Sequence, residues 1–251
     1  MKALITGASS GIGRDMAKVL SQKGYDLILV ARRKDRLEEL KNTITNVNVK
    51  IIECDLSQEE NCIEMYHKVK NEKIDFLINN AGFGLCGEFV STDLNTELNM
   101  IKTNIVAVHI LTKLFLKDFT AKNSGTILNV ASSAAYMAGP LMSTYYATKN
   151  YVRRLSQAVY QELKEKGSAV KISVLCPGPV NTEFNDVANV KFALKGLSSE
   201  YVAKYAIQQA LKGKLDIVPG NKMKIGTFFL RFTPTKLMLK ISNNIQKKKN
   251  D

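Results

Sequence analysis

Residues 6–13 read Thr6-Gly7-Ala8-Ser9-Ser10-Gly11-Ile12-Gly13. An apolar, strand-like run at residues 3–6 leads directly into this stretch, and an amphipathic segment at residues 14–23 follows it. Glycine tolerates the backbone conformations of a tight turn and has no side chain to keep a neighbouring group away. The stretch therefore predicts a turn that joins a buried strand to the start of a helix.

The same turn is typical of a phosphate-binding site. The first amide groups of a helix have no partner within the helix, and the helix dipole makes that end partly positive. A pyrophosphate can accept hydrogen bonds from these amides where glycines let it approach the backbone. We therefore expect a dinucleotide to bind at this turn, and the candidate contacts are Gly7, Ser9, Ser10, Gly11, Ile12 and Gly13.

Short apolar runs alternate with amphipathic segments along nearly the whole chain. Strands are predicted at residues 3–6, 27–31, 49–54, 74–79, 126–130, 171–176 and 215–218, and helices at 14–23, 34–44, 58–71, 94–121, 145–166 and 199–212. Most of the strands are apolar on both faces, which is typical of a parallel sheet covered by helices. Strand–helix alternation with right-handed crossovers predicts an α/β fold, a doubly wound and mostly parallel seven-stranded sheet in a single domain.

The composition is that of a globular protein, with 45% hydrophobic and 24% charged residues in a chain of 251. No apolar run is long enough to span a bilayer, and the first predicted strand begins so early that we expect no signal peptide. The cysteines are scattered and form no CxxC pair, so neither a metal site nor a disulfide framework is expected. These features predict a cytoplasmic protein with reduced thiols at Cys54, Cys62, Cys86 and Cys176.

The residues that end the second predicted strand bear on the choice of dinucleotide. An acidic side chain there would bind the 2′-hydroxyl of the adenosine ribose, whereas a basic one would pair with a 2′-phosphate. The chain has Arg32 and Arg33 at this place and no acid, so NADP(H) is predicted. Arg14 is a second, weaker candidate for the phosphate. The alternative is that both arginines only open a solvated helix.

Two tyrosines near the middle of the chain are candidates for acid–base work. Reduction of a carbonyl needs a hydride, which such a cofactor carries, and a proton. A tyrosine has an ordinary pKa of about 10, and a nearby cation lowers that pKa by favouring the phenolate. Lys149 lies four residues after Tyr145 and three after Tyr146, so either tyrosine would share a helix face with it. Spacing alone leaves both open.

Further motifs follow the predicted strands in order: Asn79-Asn80-Ala81-Gly82, Asn104, Ser132, the Tyr145–Lys149 pair, and the stretch Pro177-Gly178-Pro179-Val180-Asn181-Thr182. With the glycine turn, they make residues 2–218 resemble the classical short-chain dehydrogenase/reductase family, which has a Rossmann-type fold. The resemblance implies an NADP(H)-dependent oxidoreductase that interconverts a carbonyl and a secondary alcohol. An alternative is a protein of the same fold that senses NADP(H) or acts as a scaffold with little catalysis.

The resemblance also implies roles for particular residues. It selects Tyr145 over Tyr146 as the acid–base group and Ser132 over Ser133 as the group that orients the substrate oxygen. Lys149 and Asn104 would complete a proton relay through a water that Asn104 anchors. The remaining cofactor contacts implied by the family pattern are Asp55 and Leu56 near the adenine, Asn80, Ala81 and Gly82 beside the central sheet, and Pro177, Gly178, Val180 and Thr182 near the nicotinamide.

Substrate choice is expected to depend on the long loop at residues 181–197 and on the C-terminal segment. Met137, Met142 and Phe184 flank the catalytic segment and this loop, and for each of them core packing and pocket lining stay open. The predicted substrate is a small carbonyl or alcohol compound, with acyl and other lipid-like molecules among the candidates. The family commonly forms dimers or tetramers, so a homodimer or homotetramer through the helices at 94–121 and 145–166 is expected.

Residues 1–219 are predicted to form the catalytic domain, and residues 220–251 a basic C-terminal extension that packs on the same domain or on a neighbouring subunit. The net charge of the chain is +13, and ten basic residues from Lys212 onward are opposed only by Asp216 and Asp251. No nucleic-acid-binding motif accompanies this charge, so no nucleic-acid partner is expected. Alternatively, the extension is a solvated tail, or it binds an acidic carrier, or it binds an anionic membrane surface.

Overall fold

A computed structural model describes residues 1–188 and 196–247 of the chain. The strands are β1 (Lys2–Thr6), β2 (Asp26–Ala31), β3 (Val49–Glu53), β4 (Phe76–Asn79), β5 (Thr126–Val130), β6 (Lys171–Leu175), β7 (Val180–Asn181), β8 (Leu197–Ser198) and β9 (Asp216–Ile217). The helices are α1 (Gly11–Gln22), α2 (Lys34–Thr43), α3 (Glu59–Val69), α4 (Leu94–Ile101), α5 (Ala107–Ala121), α6 (Ser143–Glu165), α7 (Phe184–Val187), α8 (Ser199–Leu211), α9 (Asn221–Phe229) and α10 (Thr235–Lys247).

Seven strands form one parallel sheet in the order β3-β2-β1-β4-β5-β6-β9, while β7 and β8 pair separately. The chain builds outward from β1 in one direction and then returns to build from β4 in the other. The connections that leave the carboxyl ends of β1 and β4 therefore run in opposite directions, and open α/β sheets leave a crevice at such a place. The predicted fold, a doubly wound seven-stranded Rossmann-type sheet in a single domain, is confirmed.

Helices cover both faces of the sheet because consecutive side chains of a strand point to opposite faces. On one face, Ile5 of β1 belongs to the same buried cluster as Met16 of α1. On the other face, Leu4 belongs to a cluster with Phe115 of α5 and Leu163 of α6. The strands are thus buried on both sides, which explains why their sequences read as continuous apolar runs.

The helix predicted at residues 94–121 is not continuous. A π-helical turn, Lys102–Val106, separates α4 from α5, and within it Asn104 is fully buried. The amide of Ala107 donates to the carbonyl of Lys102, five residues earlier, so the turn holds one residue more than an α-helical turn. Asparagine and β-branched residues favour helices weakly, and this weak propensity does not by itself distinguish a widened turn from a regular one.

The segment predicted as a substrate loop, residues 181–197, begins in β7, contains the short helix α7 and ends in β8. Its residues 189–195 lie outside the described part of the chain. At the far end of the sequence, Thr233 and Pro234 directly precede α10, and proline suits the start of a helix because it has no amide hydrogen to leave unpaired. Residues 248–251 also lie outside the described part.

The C-terminal helices α9 and α10 lie against the rest of the chain. The side-chain amide of Gln246 in α10 donates to the hydroxyl of Tyr146 in α6 at 2.5 Å. Met223 of α9 lies so close to Gly178 that a β-carbon there would come within 2.9 Å of its side chain. A contact of this segment with a neighbouring subunit stays a prediction. Among the described helices, none combines the length and the apolar character needed to cross a membrane.

A buried polar network joins β4 and β5 to the helices behind them. Asn129 accepts from the side-chain amide of Asn79 at 2.9 Å and from the hydroxyl of Thr112 at 3.3 Å. Its own amide donates to the hydroxyl of Ser156 at 3.0 Å. All four side chains are buried, so each lost bond would leave a polar atom away from water.

Replacing Asn129 with alanine should therefore destabilise the protein. We expect the free energy of unfolding to fall by about 2–4 kcal/mol, since several buried groups lose a partner at once. Urea unfolding followed by circular dichroism measures the change. Asn42→Ala, at an exposed site in α2, is the matched control and should change stability by less than about 0.5 kcal/mol. Equal stability of the two variants would show that the network is not a structural support.

Candidate active site

A cavity of about 520 Å³ opens at the carboxyl ends of the central strands. Its walls come from the turn between β1 and α1, the ends of β2 to β6, the first turns of α6, and α7. Nearly all of the predicted cofactor contacts line it: Gly7, Ser9, Ser10, Gly11, Ile12, Arg32, Arg33, Asp55, Leu56, Asn80, Ala81, Gly82, Tyr145, Lys149, Pro177, Gly178, Val180 and Thr182. Gly13 and Asn104 are the predicted site residues that do not.

The glycine turn is locked to the end of β4. The hydroxyl of Thr6 accepts hydrogen bonds from the amides of Asn80 at 2.9 Å and Ala81 at 3.1 Å. The side-chain amide of Asn80 in turn donates to the carbonyls of Thr6 and Gly7, each at 3.1 Å. Gly7 has a φ of +63°, and a β-carbon there would lie 2.8 Å from the α-carbon of Ala81. The turn is thus held in place without any ligand.

Gly13 does not line the cavity, but it allows close packing beside it. A β-carbon at this position would collide with the side-chain amide of Asn80 and with the carbonyl of Gly7. The glycine therefore allows the first turn of α1 to approach the end of β4, which brings the helix N-terminus to the cavity. No residue at the start of α1 is acidic, so the positive end of the helix dipole is not neutralised there.

The two arginines after β2 have different surroundings. Arg33 donates to the carboxylate of Glu183 at 2.9 Å and to the hydroxyl of Ser9 at 3.2 Å, so it bridges two sides of the cavity. This hydrogen bond lowers the pKa of Glu183. Arg32 also lines the cavity, and among the described residues it has no ion pair or hydrogen bond. Arg14 pairs instead with Asp15 at 3.2 Å, outside the cavity lining.

Tyr145 lies near the start of α6, with its side chain almost fully buried at the cavity wall. Burial raises the pKa of its hydroxyl, and a hydrogen bond with Ser132 lowers it in part. Ser132 itself caps the short 3₁₀ turn Ser133–Tyr136 by accepting from the amide of Ala134 at 3.2 Å. The phenol therefore remains protonated at neutral pH and faces a fixed serine hydroxyl.

Lys149 is buried one helical turn after Tyr145. Its ammonium nitrogen lies 5.8 Å from the centroid of the Tyr145 ring and donates to the carbonyl of Val130 at 3.0 Å. Burial lowers the pKa of Lys149 from 10.5 to about 8. The lysine thus holds a proton that it can release near physiological pH, in a position fixed by the end of β5.

Tyr146, the rival on spacing, also lines the cavity, but its hydroxyl is engaged by Gln246 of α10 rather than by Ser132. Its ring meets that of Tyr145 edge to face, with the centroids 6.1 Å apart. The two adjacent tyrosines therefore serve different parts of the cavity. Only Tyr145 combines the serine partner with the lysine, the combination that the family resemblance implies.

Asn104 stands one layer behind the cavity. Its side chain accepts from the amide of Phe83 at 3.1 Å and donates to the carbonyl of Phe83 at 2.9 Å and to Thr148 at 3.1 Å. It therefore clamps the chain after Gly82 to α6. A β-carbon at Gly82 would come within 2.8 Å of the Asn104 oxygen, so the glycine is required for this contact.

The end of the cavity near Tyr145 is largely apolar. Met137, Met142 and Phe184, for which the sequence left core and pocket open, all line it. The ring of Phe184 lies 5.4 Å from that of Tyr145, measured between centroids. Further residues that line the cavity come from segments without motifs, so the sequence did not point to them: Phe83, Val187, Met223, Ser242 and Ile245.

Residues 1–188 and 196–247 contain no group of three or more His, Cys, Asp or Glu side chains placed to hold a metal ion. Beside the carboxylates of Asp55 and Glu183, the cavity presents hydrogen-bond donors: backbone amides, hydroxyls, an ammonium group and guanidinium groups. Such donors suit the phosphates of a dinucleotide and the oxygen of an organic substrate.

Comparison with known proteins agrees with this geometry. The model of the short chain dehydrogenase family matches residues 1–192. An uncharacterised oxidoreductase of Staphylococcus saprophyticus is 36% identical over 186 residues, which cover 73% of this chain and 75% of that protein. The 17-beta-hydroxysteroid dehydrogenase type 3 of Mus musculus is 33% identical over 196 residues, 75% of this chain. The chain spans only 63% of the length of that enzyme.

Among solved structures, a short-chain dehydrogenase from Sphingobium yanoikuyae in complex with NADPH has a TM-score of 0.85 and 28% identity, and the match covers 94% of each chain. Structures of this fold hold NADPH in one protein and NAD in another. The family match over most of the chain, the sheet order and the likeness to these structures lead to one conclusion: the chain belongs to the classical short-chain dehydrogenase/reductase family of oxidoreductases.

Proposed function

We propose that this chain is an NADP(H)-dependent oxidoreductase that interconverts a carbonyl compound and a secondary alcohol, with Tyr145 as the acid–base group. The observation that carries the proposal is the grouping of Tyr145, Ser132 and Lys149 on one wall of the cavity. The opposite end of the same cavity presents the helix N-terminus and Arg32. The two ends thus suit the two parts of a hydride-transfer reaction.

The residues of the cavity fit a nicotinamide dinucleotide. The glycine turn and the start of α1 would hold the pyrophosphate, and Asp55 and Leu56 would contact the adenine. Arg32 is a charged side chain that lines the cavity and has no partner among the described residues. A 2′-phosphate would give it one, which favours NADP(H). Arg33 would contribute if it exchanges Glu183 for the phosphate.

A bound nicotinamide supplies or accepts the hydride. The chain supplies the rest: in the direction of reduction, Ser132 holds the substrate oxygen and Tyr145 donates its proton to that oxygen. Burial raises the pKa of Tyr145, so the form that can donate is the one present at neutral pH. The reverse reaction needs the phenolate, which a cation close to the ring would favour.

Lys149 would return the proton to Tyr145. The prediction that Lys149 lowers the pKa of Tyr145 stays a prediction, because burial is the largest influence on each group and favours its uncharged form. Asn104 acts as a positioning residue in this scheme. Its side chain is occupied by Phe83 and Thr148, so any water that it anchors would bind its main-chain carbonyl.

The substrate is proposed to be apolar and of lipid-like size. Methionine and phenylalanine side chains belong to the apolar cluster around Tyr145 and line the cavity with it, which leaves few polar groups there to recognise a hydrophilic substrate. One relative carries the name of a hydroxysteroid dehydrogenase. A homodimer or homotetramer and a cytoplasmic location stay predictions, as does the alternative of a weakly catalytic NADP(H)-sensing protein. A screen of ketones with NADPH, followed by absorbance, separates an enzyme from a sensor.

Replacing Tyr145 with phenylalanine should remove the proton donor and leave the fold intact. Loss of a general acid should lower turnover of any ketone reduced by the wild type by about 10²–10⁴-fold. Binding of NADPH, measured by fluorescence, should stay nearly unchanged.

Tyr151→Phe, on the exposed side of the same helix, is the matched control and should keep wild-type turnover. Tyr146→Phe tests the rival tyrosine. Wild-type turnover in Tyr145→Phe, or a larger loss in Tyr146→Phe, would make the assignment of Tyr145 wrong.

The proton on Lys149 can be followed through folding stability without any substrate. The pKa of Lys149 is about 8 in the folded protein and 10.5 ordinarily, so the unfolded chain binds this proton more tightly. Burying the charged amine therefore costs stability below pH 8, and the cost decreases as the pH rises toward 10.5. Between pH 7 and pH 10, wild type should gain about 2–3 kcal/mol in unfolding free energy relative to Lys149→Met.

Urea titrations of both proteins at the two pH values give this difference. Lys18→Met, on the exposed side of α1, controls for the loss of a lysine elsewhere. If the difference between wild type and Lys149→Met is the same at pH 7 and pH 10, Lys149 does not have a depressed pKa and cannot supply protons as proposed.

The choice of NADP(H) depends on Arg32. Replacing Arg32 with alanine removes a charge-assisted contact worth about 1.5–3 kcal/mol, so the Kd for NADPH should rise by about 10–100-fold. The Kd for NADH should change little, because NADH has no 2′-phosphate. Fluorescence titration measures both constants, and Arg154→Ala on the exposed side of α6 is the control. Equal losses for NADPH and NADH would contradict the predicted role.

A further inference from the structure

The C-terminal segment presents an unusual surface. In α10 the polar side chains of Ser242 and Gln246 are each only 1% exposed and face the catalytic domain. The apolar row formed by Leu237, Ile241 and Ile245, spaced four residues apart, remains exposed. A helix that only packs on its own domain would show the opposite arrangement, with its apolar side inward.

The preceding helix α9 and the turn that follows it, Leu230–Phe232, carry further exposed apolar side chains. Phe228 contacts both Phe229 and Phe232 edge to face, with ring centroids 5.6 and 5.5 Å apart. Phe229 is 62% exposed and Phe232 is 72% exposed. We call these exposed side chains together the C-terminal apolar face; its members are Ile225, Phe228, Phe229, Phe232, Leu237, Ile241 and Ile245. Exposed patches of this kind mark interaction surfaces.

Basic side chains accompany this face. Residues 220–251 contain eight basic residues and a single acidic one, Asp251. Lys222, Lys236 and Lys240 are exposed, and among the described residues none of them forms an ion pair. Arg231 lies 4.0 Å from Asp216, which neutralises part of the charge at one end. The surface is thus apolar and cationic at the same time.

We propose that the C-terminal apolar face docks this protein on the surface of an anionic lipid bilayer. Phenylalanine, leucine and isoleucine side chains would enter the boundary between headgroups and acyl chains, and the flanking lysines would lie among anionic headgroups. The segment binds in the plane of the surface and does not cross the bilayer.

Charge distinguishes this occupant from a second copy of the chain. In a two-fold symmetric contact the same patch meets itself. Such a contact would bring Lys236 and Lys240 of both copies together, and residues 220–250 contain no acid to compensate them. An anionic bilayer would bury the apolar side chains and pair the lysines with its headgroups at the same time.

The docking surface also leads to the cavity. Ile245 continues the exposed row of α10, is 46% exposed, and lines the cavity together with Ser242 and Met223 of the same segment. An apolar substrate dissolved in the bilayer would reach Tyr145 along this side. This last step rests on the proposed function, whereas docking itself does not require catalysis.

Sedimentation with vesicles tests the docking. The full chain should pellet with vesicles of phosphatidylcholine and phosphatidylglycerol, but not with phosphatidylcholine alone, and added salt should weaken the binding. The double variant Phe229→Ser/Phe232→Ser should bind at least about tenfold more weakly, since each phenylalanine side chain loses its burial. Lys236→Glu/Lys240→Glu should also lose binding to the anionic vesicles.

Phe89→Ser is the matched control, because Phe89 is 68% exposed and lies far along the chain from the C-terminal segment. It should bind vesicles like the wild type. Thermal unfolding of every variant verifies that the fold is kept. The proposal is wrong if wild type ignores the anionic vesicles, or if the double phenylalanine variant binds as well as wild type. It is equally wrong if wild type is a dimer that does not bind the vesicles and the double phenylalanine variant is a monomer. A second copy of the chain would then cover the face.

Discussion

The hydroxyl of Thr6 and the side-chain amide of Asn80 fix the two loops on which the rest of the site depends. They join the turn after β1 to the turn after β4 at the place where the sheet reverses its winding. Because the carboxyl ends of parallel strands lie at one edge of the sheet, the loops that follow the other strands lie at the same edge as this junction. Gly13 then brings α1 against the junction, so the positive end of that helix faces the cavity. Without these hydrogen bonds, the two turns that border the crevice between β1 and β4 would not be held in one position relative to each other.

The sequence predicted those parts of the site that depend on local chemistry. A glycine turn between a strand and a helix, and a tyrosine one turn before a lysine, have few other uses, so their positions in the cavity followed from their order along the chain. The π turn around Asn104 could not be predicted, because weak helix propensity does not specify how a helix is interrupted. The pairing of Arg33 with Glu183 was equally hidden, since it joins residues 150 positions apart whose meeting depends on tertiary packing.

Burial decides the electrostatics of the catalytic wall. Tyr145 and Lys149 lie where water cannot solvate a charge, so burial raises the pKa of the phenol and lowers that of the amine. The buried ammonium group of Lys149 nevertheless keeps a hydrogen-bond partner, the carbonyl of Val130. In the C-terminal helices α9 and α10, by contrast, charged groups are exposed to solvent. Their lysines stay in water, and their apolar side chains have no cover within the described residues.

The π turn determines how the protein would respond to the deletion of a residue between α4 and α5. Because it holds one residue more than an α-helical turn, removing a single residue from Lys102–Val106 would let α4 and α5 merge into one regular helix. Because the widened turn takes up its extra residue locally, the flanking helices would keep their faces, and Met100 and Phe115 would stay in their separate core clusters. The cost would fall on Asn104, whose buried side chain would lose the widened backbone that supports its bonds to Phe83 and Thr148. The extra residue thus serves the position of one side chain, and a deletion in this turn would affect the site more than the fold.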